Sequence, residues 1–302
     1  MEVLGRLLGL LALLSVGTGL RFSGVLDAGR TQRLNALAYY VALPALVFVS
    51  TYDRAVGELL TADLFVGVLA VVFTTAGIAW LVHRRQDRRG RQSVAIIQSY
   101  HSNLGYLGLP LVAATFDARV TAIASVVLGV ASLTQVPLTI VVLSAINEAD
   151  ASVARELGRL ARNPVLVILV VGLTVGSLGL SVPGPVTAGL DVLGALALPI
   201  ALLCVGASLQ IDRPNVDIGA SGAVVATKIA VMPVLAWAAF SLLGVDAATF
   251  TAAIVMLGTP TAVSTYVFAN ELGGDEEFAS LNVFLTTLVS VGTLFVLIRA
   301  VG

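Results

Sequence analysis

Apolar residues run through this chain in long stretches that are separated by short polar breaks. A helix of about 20 apolar residues can cross the hydrocarbon core of a bilayer, and ten stretches come close to this length. They lie at residues 3–20, 33–51, 62–82, 94–116, 121–146, 163–180, 187–209, 219–243, 248–270 and 278–299. The pattern predicts an all-α integral membrane protein with ten transmembrane helices.

The composition agrees with a chain that lies mostly in lipid. Of its 302 residues, 58% are hydrophobic and only 12% are charged, with a mean hydropathy of +0.98, whereas about a quarter of the residues of soluble domains are charged. The formal net charge of -1 argues against a general attraction for nucleic acid. The single cysteine, Cys204, excludes an internal disulfide and a cysteine zinc site. We predict no cofactor and no metal.

Arginines in the short connectors predict the orientation. If the connectors after odd-numbered helices share one side, that side carries twelve of the 16 arginines. These are Arg21, Arg30, Arg33, Arg84, Arg85, Arg88, Arg89, Arg91, Arg155, Arg159, Arg162 and Arg213. The positive-inside rule places the richer side in the cytoplasm. We therefore predict a multi-pass protein of the cytoplasmic (cell) membrane with both termini outside.

The two halves of the chain repeat one pattern. Similar segments in the second and seventh helices, LNALAYYVALPALVF and LDVLGALALPIALL, place Pro44 and Pro199 155 residues apart. The same offset relates Gly105 in the fourth helix to Pro260 in the ninth. Five helices per half is an odd number, so the second half would enter the membrane inverted, as in alternating-access carriers. Chance recurrence of Leu-Pro pairs is the alternative. We expect a first five-helix repeat over residues 1–146, a cytoplasmic linker over 147–162 and an inverted repeat over 163–302.

The fourth helix contains residues that an uninterrupted helix facing lipid would not tolerate. The run QSYHSNLGYLGLPLVAATF, from Gln98 to Phe116, places polar residues, glycines and Pro110 in mid-span. Proline removes a backbone donor and glycine weakens a helix, so the hydrogen-bond ladder is predicted to open between Asn103 and Pro110. Unpaired backbone at this depth is stable only where it lines a protein cavity.

The ninth helix repeats this break in VMLGTPTAVSTYVF. Gly258 is suited to end one half-helix, Thr259 to cap the next and Pro260 to begin it. Two such helices would meet at the membrane midplane, where their free amides would bind a carboxylate or another anion. A pair of proline kinks closed by neighbouring helices is the alternative. The candidate substrate-binding residues are Asn103, Gly105, Pro110, Thr259, Pro260, Thr261 and Ser264.

Three more polar residues lie within the apolar stretches. Lys228 is a possible charge partner for an anion, or else extends from the membrane to water. His101 is a possible site of ion coupling, with a neutral, hydrogen-bonded histidine as the alternative. Asp191 is expected at the membrane interface. No acidic residue lies within the fourth or ninth helix, which argues against a carboxylate proton relay or a carboxylate-rich sodium site.

Five motifs, in order along nearly the whole chain, resemble the auxin efflux carrier family of membrane transporters. They are LPALVF (Leu43 to Phe48), NLGYLGLPL (Asn103 to Leu111), RNPVLVILVVGL (Arg162 to Leu173), LPIALLCVGASL (Leu198 to Leu209) and GTPTAVSTYVFANELGGD (Gly258 to Asp275). The resemblance implies the inverted five-plus-five fold of sodium/bile acid symporters, in which broken fourth and ninth helices cross at the substrate site. By this resemblance, helices one, two, six and seven would form a scaffold and a homodimer contact, and the others would move as an elevator. Asn103 and Pro110 match the fourth-helix crossover and Pro260 the ninth.

Members of that family move organic anions such as auxins, malate or malonate. The connector from Asn147 to Arg162 is far shorter than the central loop of plant auxin carriers, so the chain is more similar to the short microbial members. The resemblance implies a secondary transporter for a small organic anion such as a carboxylate, working as a uniporter or coupled to H+ or Na+. A passive anion channel and an intramembrane enzyme are the alternatives. The spans contain no paired acids and no HExxH or GxSxG motif, which disfavours the enzyme.

Overall fold

The computed structural model describes residues 2–150, 152–208 and 218–302, and within these ranges the chain is helical and has no β-strand. The α-helices are α1 (Glu2–Phe22), α2 (Ala28–Leu37), α3 (Leu43–Thr51), α4 (Val56–Leu59), α5 (Ala62–His83), α6 (Arg89–Tyr100), α7 (Leu109–Thr115), α8 (Ala118–Asn147), α9 (Val153–Leu160), α10 (Pro164–Ser177), α11 (Gly184–Ala195), α12 (Ala197–Ser208), α13 (Ile218–Ala226), α14 (Met232–Leu243), α15 (Ala247–Leu257), α16 (Ser264–Glu271) and α17 (Glu276–Val301). Leu209 and Arg213, which the sequence assigns to the seventh helix and the connector after it, lie outside the described residues.

Six helical segments among the described residues are long and apolar enough to cross a membrane. They are Ala28–Thr51, Ala62–His83, Ala118–Asn147, Gly184–Ala207, Gly219–Leu243 and Glu276–Val301. A seventh results if Ala154–Leu160 and Pro164–Ser177 are counted as one span. Shorter apolar helices, including Leu104–Thr115 and Ala247–Leu257, occupy the interrupted stretches. An all-helical protein with several membrane-capable helices is confirmed, and ten crossings stay a prediction.

Within the part of the chain that the structure describes, three π-helical segments each precede a proline. They are Ala38–Ala42 before Pro44, Leu104–Gly108 before Pro110 and Thr227–Val231 before Pro233. Proline lacks an amide hydrogen, and its ring clashes with the carbonyl group one α-helical turn earlier. A wider π turn relieves that clash, and α-helix continues past each proline.

The described residues form two compact units, each drawn from both halves of the chain. Unit one consists of Met1–Thr61, Gly105–Gly129 and Ala161–Gln210, and unit two of Ala62–Leu104, Val130–Leu160 and Ile211–Gly302. These spatial units cut across the two predicted sequence repeats. The repeats themselves stay a prediction.

Unit one is packed through small and hydroxyl side chains. Helix α1 packs against α12, and α3 packs against α10 and α11. At the first contact Thr18 Oγ1 donates to the carbonyl oxygen of Gly206 at 2.9 Å, and at another the Ser50 and Ser125 hydroxyls lie 2.9 Å apart. Such close contacts are typical of helix association in membranes, where small residues let backbones approach.

Unit two is held together at one end by its connectors. Arg91 Nε forms an ion pair with Asp275 Oδ2 at 2.8 Å, and the Asp275 amide donates to the carbonyl oxygen of Gly90 at 3.1 Å. Asn147 Nδ2 donates to the carbonyl oxygen of Leu272 at 2.8 Å. The first two contacts link the start of α6 to the start of α17. Both interrupted helices lie between these two points of the chain.

Candidate functional site

Helix α6 ends at Tyr100, and the backbone is not helical again until Leu104. His101 is the C-cap, with φ -81° and ψ 100°, and its amide still donates to the carbonyl oxygen of Ile97 at 3.0 Å. The sequence places the break between Asn103 and Pro110, whereas the non-helical residues are 101–103, so the prediction and the structure overlap only at Asn103. The helical hydrogen bonds are interrupted at residues 101–103. Pro110 itself lies in a helix that has already begun again, because the π turn before it accommodates the proline.

Helix α15 ends at Leu257, with Gly258 as its C-cap, as the sequence predicts. Helix α16 begins at Ser264, and the segment between is not helical. The predicted roles of Thr259 as cap and Pro260 as first residue of the second half-helix are wrong. Thr259 Oγ1 donates back to the carbonyl oxygen of Met256 at 2.8 Å, and Pro260 lies before α16 in the extended segment.

The two extended segments cross within unit two and pair as a short antiparallel bridge. Ser102 lies opposite Thr261, the Asn103 amide donates to the carbonyl oxygen of Pro260 at 2.8 Å, and the Ala262 amide donates to the carbonyl oxygen of His101 at 3.0 Å. Backbone groups that each helix leaves open at its break are thereby paired with the other helix. Unpaired buried backbone groups would be costly, so the two breaks stabilise one another.

A glutamine from α8 completes the pairing of the first break. Gln135 Oε1 accepts from the Ser102 amide and Gln135 Nε2 donates to the carbonyl oxygen of Tyr100, both at 3.1 Å. The side-chain amide thus bridges two backbone groups that no longer belong to a helix. Gln135 is not among the residues predicted from the sequence, although a glutamine within an apolar stretch is itself a signal of function.

A buried polar network lies next to the second break. Thr261 Oγ1 donates to the carbonyl oxygen of Gln98 at 2.6 Å. The Gln98 side chain donates to Thr265 Oγ1 at 3.0 Å and accepts from Asn282 Nδ2 at 2.9 Å. Asn282, on α17, was also missed, and the same signal, an amide in an apolar stretch, identifies it.

The structure brings together some of the predicted site residues but not all. Asn103, Thr259, Pro260 and Thr261 are buried at the crossing, and Ser264 is exposed at the start of α16. Gly105 and Pro110 belong to unit one, where Gly105 lies beside Leu43 and Leu128. Asp191, also in unit one, is exposed.

Several polar groups at the crossing have no hydrogen-bond partner among the described residues, and three of them bear on ligand binding. The side chain of Asn103 is 4% exposed and makes no hydrogen bond to a described residue, and its oxygen and nitrogen atoms both keep some accessible surface. The backbone amides of Val263 and Ser264, just before and at the first turn of α16, also donate to no described acceptor. These amides carry the positive end of the α16 dipole, which favours a negative ligand.

Lys228 reaches the same crossing from its π-helical segment. Its side chain is 0% exposed, so the alternative in which it extends to water does not hold. Nζ donates to Ser102 Oγ at 2.6 Å, to the carbonyl oxygen of Leu257 at 3.0 Å and to Met232 Sδ at 3.0 Å. No carboxylate is among these partners.

His101 is buried and its ring is held on two sides. Nδ1 lies 2.9 Å from Thr139 Oγ1, and the ring centroid lies 6.1 Å from that of Phe268. This geometry agrees with the hydrogen-bonded histidine considered from the sequence. A role in coupling stays a prediction.

Residues 3–298, nearly the whole chain, match the sequence model of a family described as "Membrane transport protein". The chain belongs to that family. It is the auxin efflux carrier family that the five motifs resemble, so that resemblance is confirmed. The family indicates a multi-pass membrane transporter rather than an enzyme.

Two relatives of this transporter match over most of their length. A protein of Rhizobium meliloti (strain 1021) named "Putative malonate transporter" is 31% identical over 292 residues, which cover 91% of each chain. An "Uncharacterized transporter" of Methanothermobacter thermautotrophicus is 23% identical over 291 residues, covering 95% of this chain and 94% of the relative.

Proposed function

We propose that this chain is an elevator-type secondary transporter that moves a small organic anion across the cytoplasmic membrane. The observation that carries the proposal is the side chain of Asn103, which is buried at the crossing of two interrupted helices and has no hydrogen-bond partner among the described residues. Neither polar atom of this side chain is sealed in protein, since both are absent from the fully buried unpaired atoms of the described residues. A bound substrate could therefore reach them and supply the hydrogen-bond partners that they lack.

The charges around Asn103 favour an anion. The free amides of Val263 and Ser264 lie at the positive end of a helix dipole. Lys228 adds a buried cation one residue from Asn103, through Ser102, and no acid neutralises it. Discontinuous helices with this arrangement bind anionic substrates near the midplane in several carrier folds.

A short dicarboxylate is the proposed substrate class. The relative from Rhizobium meliloti carries malonate in its name, and a carboxylate accepts hydrogen bonds from an asparagine amide and from backbone amides alike. Moving one charge through 100 mV is worth about 2.3 kcal/mol. Export of an anion from a negative interior therefore needs no coupled ion, although coupling to H+ through His101 is compatible with the site.

The proposed architecture has ten crossings as an inverted repeat, with both termini outside. The last helical residues before the two breaks, Tyr100 and Leu257, are 157 positions apart, which supports the repeat offset of 155 inferred from the sequence. The division into two compact units supports an elevator in which unit two carries the site. We propose that unit one provides the contact of a homodimer.

Flux measurements in proteoliposomes test this function. Uptake of labelled malonate, of longer dicarboxylates and of indole acids is measured while potential, proton and sodium gradients are varied separately. We expect saturable, potential-sensitive uptake of one anion class that is accelerated by unlabelled substrate on the opposite side. A passive channel would show neither saturation nor exchange.

Asn103→Ala is the informative variant. Loss of a hydrogen bond to a charged ligand is worth about 1.5–3 kcal/mol, so we expect the apparent affinity for the anion to fall about tenfold or more. Asn270→Ala is the matched control, since Asn270 is exposed on α16 in the same unit, and it should transport normally. Normal affinity in folded Asn103→Ala protein would remove Asn103 from the site.

A further inference from the structure

Lys228 is the only lysine of the chain and one of its most deeply buried side chains. All three of its contacts are acceptors: a hydroxyl oxygen, a carbonyl oxygen and a thioether sulfur. An ammonium group has three N–H donors and no acceptor, so these three partners can accept all of its hydrogen bonds. The geometry therefore fits the charged form of the side chain.

The oxygen partners of Lys228 come from both interrupted helices. Leu257 provides the last carbonyl group of α15, at the negative end of that helix, and Ser102 belongs to the extended segment after α6. Ser102 Oγ also lies 3.3 Å from the Leu257 carbonyl oxygen. The ammonium thus joins the two breaks at one point, beside the bridge between Ser102 and Thr261.

Carbonyl groups at the ends of half-helices are the ligands with which many secondary transporters bind a soluble coupling cation. In this chain the equivalent oxygen atoms already hold a cation that is covalently attached. No Asp or Glu contacts Lys228 among the described residues, so the charge of the ammonium is available to the half-helix end and to an anion bound nearby.

We propose that Lys228 is a tethered substitute for a soluble coupling cation, which assembles the crossing in the absence of Na+. Two consequences follow. The folded protein needs no particular soluble cation for its stability, and removal of the lysine side chain leaves a site for a small primary alkylammonium ion. A further consequence, that anion flux needs no Na+, rests on the transport function proposed above, whereas the first two consequences do not.

Thermal unfolding of the purified protein tests the proposal without any substrate. Wild-type protein is compared in sodium, potassium and choline chloride at equal ionic strength. Lys228→Ala is measured with and without n-propylammonium chloride, which matches the three methylene groups and the nitrogen that the substitution removes. Ile229→Ala is the matched control, since it also shortens a buried side chain of the same π-helical segment but removes no charge.

We expect the wild-type midpoint to be the same in all three salts. Lys228→Ala should unfold several degrees lower, and n-propylammonium should raise its midpoint by about 2 °C or more while leaving wild type and Ile229→Ala unchanged. Stabilisation of wild type by Na+ over choline would overturn the proposal, and so would a folded Lys228→Ala protein that n-propylammonium does not rescue.

Lys228→Met covers the case in which the alanine variant does not fold. Methionine keeps a linear apolar side chain of similar length and removes only the charge, so we expect lower stability than wild type and no response to n-propylammonium. Wild-type stability in Lys228→Met would show that the charge is not needed. Anion flux in liposomes, with choline replacing Na+ on both sides, should be undiminished in wild type; absence of any flux would count against the transport function and leave the stability result standing.

Discussion

The backbone amide of Asn103 donates to the carbonyl oxygen of Pro260 at 2.8 Å. This bond joins two helices that are each interrupted, and each interruption supplies the partners that the other lacks. A single broken helix would leave its open backbone groups to lipid or water. The pair satisfies backbone groups of both breaks, and the side chain of Asn103 beside them makes no hydrogen bond to a described residue.

Gln135→Leu should destabilise the protein strongly. The substitution leaves the Ser102 amide and the Tyr100 carbonyl group without the glutamine that pairs them, and each unpaired buried group costs about 1–3 kcal/mol. We expect a lower midpoint in thermal unfolding. Thr134→Val is the neighbouring control, because Thr134 bonds only to Val130 in its own helix; an equal loss in both variants would contradict the bridging role.

Gln98 and Asn282 should be energetically coupled. Gln98→Leu leaves the Asn282 amide without the oxygen atom to which it donates, and Asn282→Leu removes that donor. Unfolding free energies of the two single variants and the double variant should show a coupling of about 0.5–3 kcal/mol. Thr75→Val offers a reference, since Thr75 bonds only within α5 and its effect should add to that of Gln98→Leu.

Unit one should be sensitive to one methyl group at Gly206. A Cβ atom there would clash with the carbonyl oxygen of Leu14 and lie 3.1 Å from the Thr18 amide nitrogen, and backbone atoms of a packed helix cannot move aside cheaply. We expect Gly206→Ala to cost about 1–3 kcal/mol. Gly189→Ala is the control, because open space surrounds Gly189; its unfolding midpoint should be unchanged or slightly higher.

The sequence was sufficient to predict that the fourth and ninth helices break, but not where their partners lie. Glycine and proline mark a weak ladder locally, and Gly258 does end its half-helix. The first break lies at residues 101–103 because a π turn accommodates Pro110 and because Gln135, from a different helix, pairs the open groups. Such a tertiary partner has no local signal beyond its polarity. The position of Lys228 likewise depends on packing that periodicity cannot predict.

Cysteine labelling should establish the predicted orientation. Cys204 is the only cysteine and is buried, so Cys204→Ser gives a background without reactive thiols. Asp87→Cys lies in the arginine-rich connector after the third predicted helix, and Gly57→Cys lies in the connector after the second; both positions are exposed. If the arginine-rich side is cytoplasmic, a membrane-impermeant maleimide should label Gly57→Cys in intact cells.

The same reagent should label Asp87→Cys only after the membrane is opened. The physical reason is the cost of moving clustered arginines across a bilayer during insertion, which retains them on the side of synthesis. Labelling after permeabilisation is the control that both cysteines are reactive. Labelling of Asp87→Cys but not Gly57→Cys in intact cells would show that the orientation is the reverse of the predicted one. The ion pair of Arg91 with Asp275 would then lie on the outer side of the membrane. A carrier of the proposed type would then face the cytoplasm with its opposite end, so this measurement comes before any assignment of import or export.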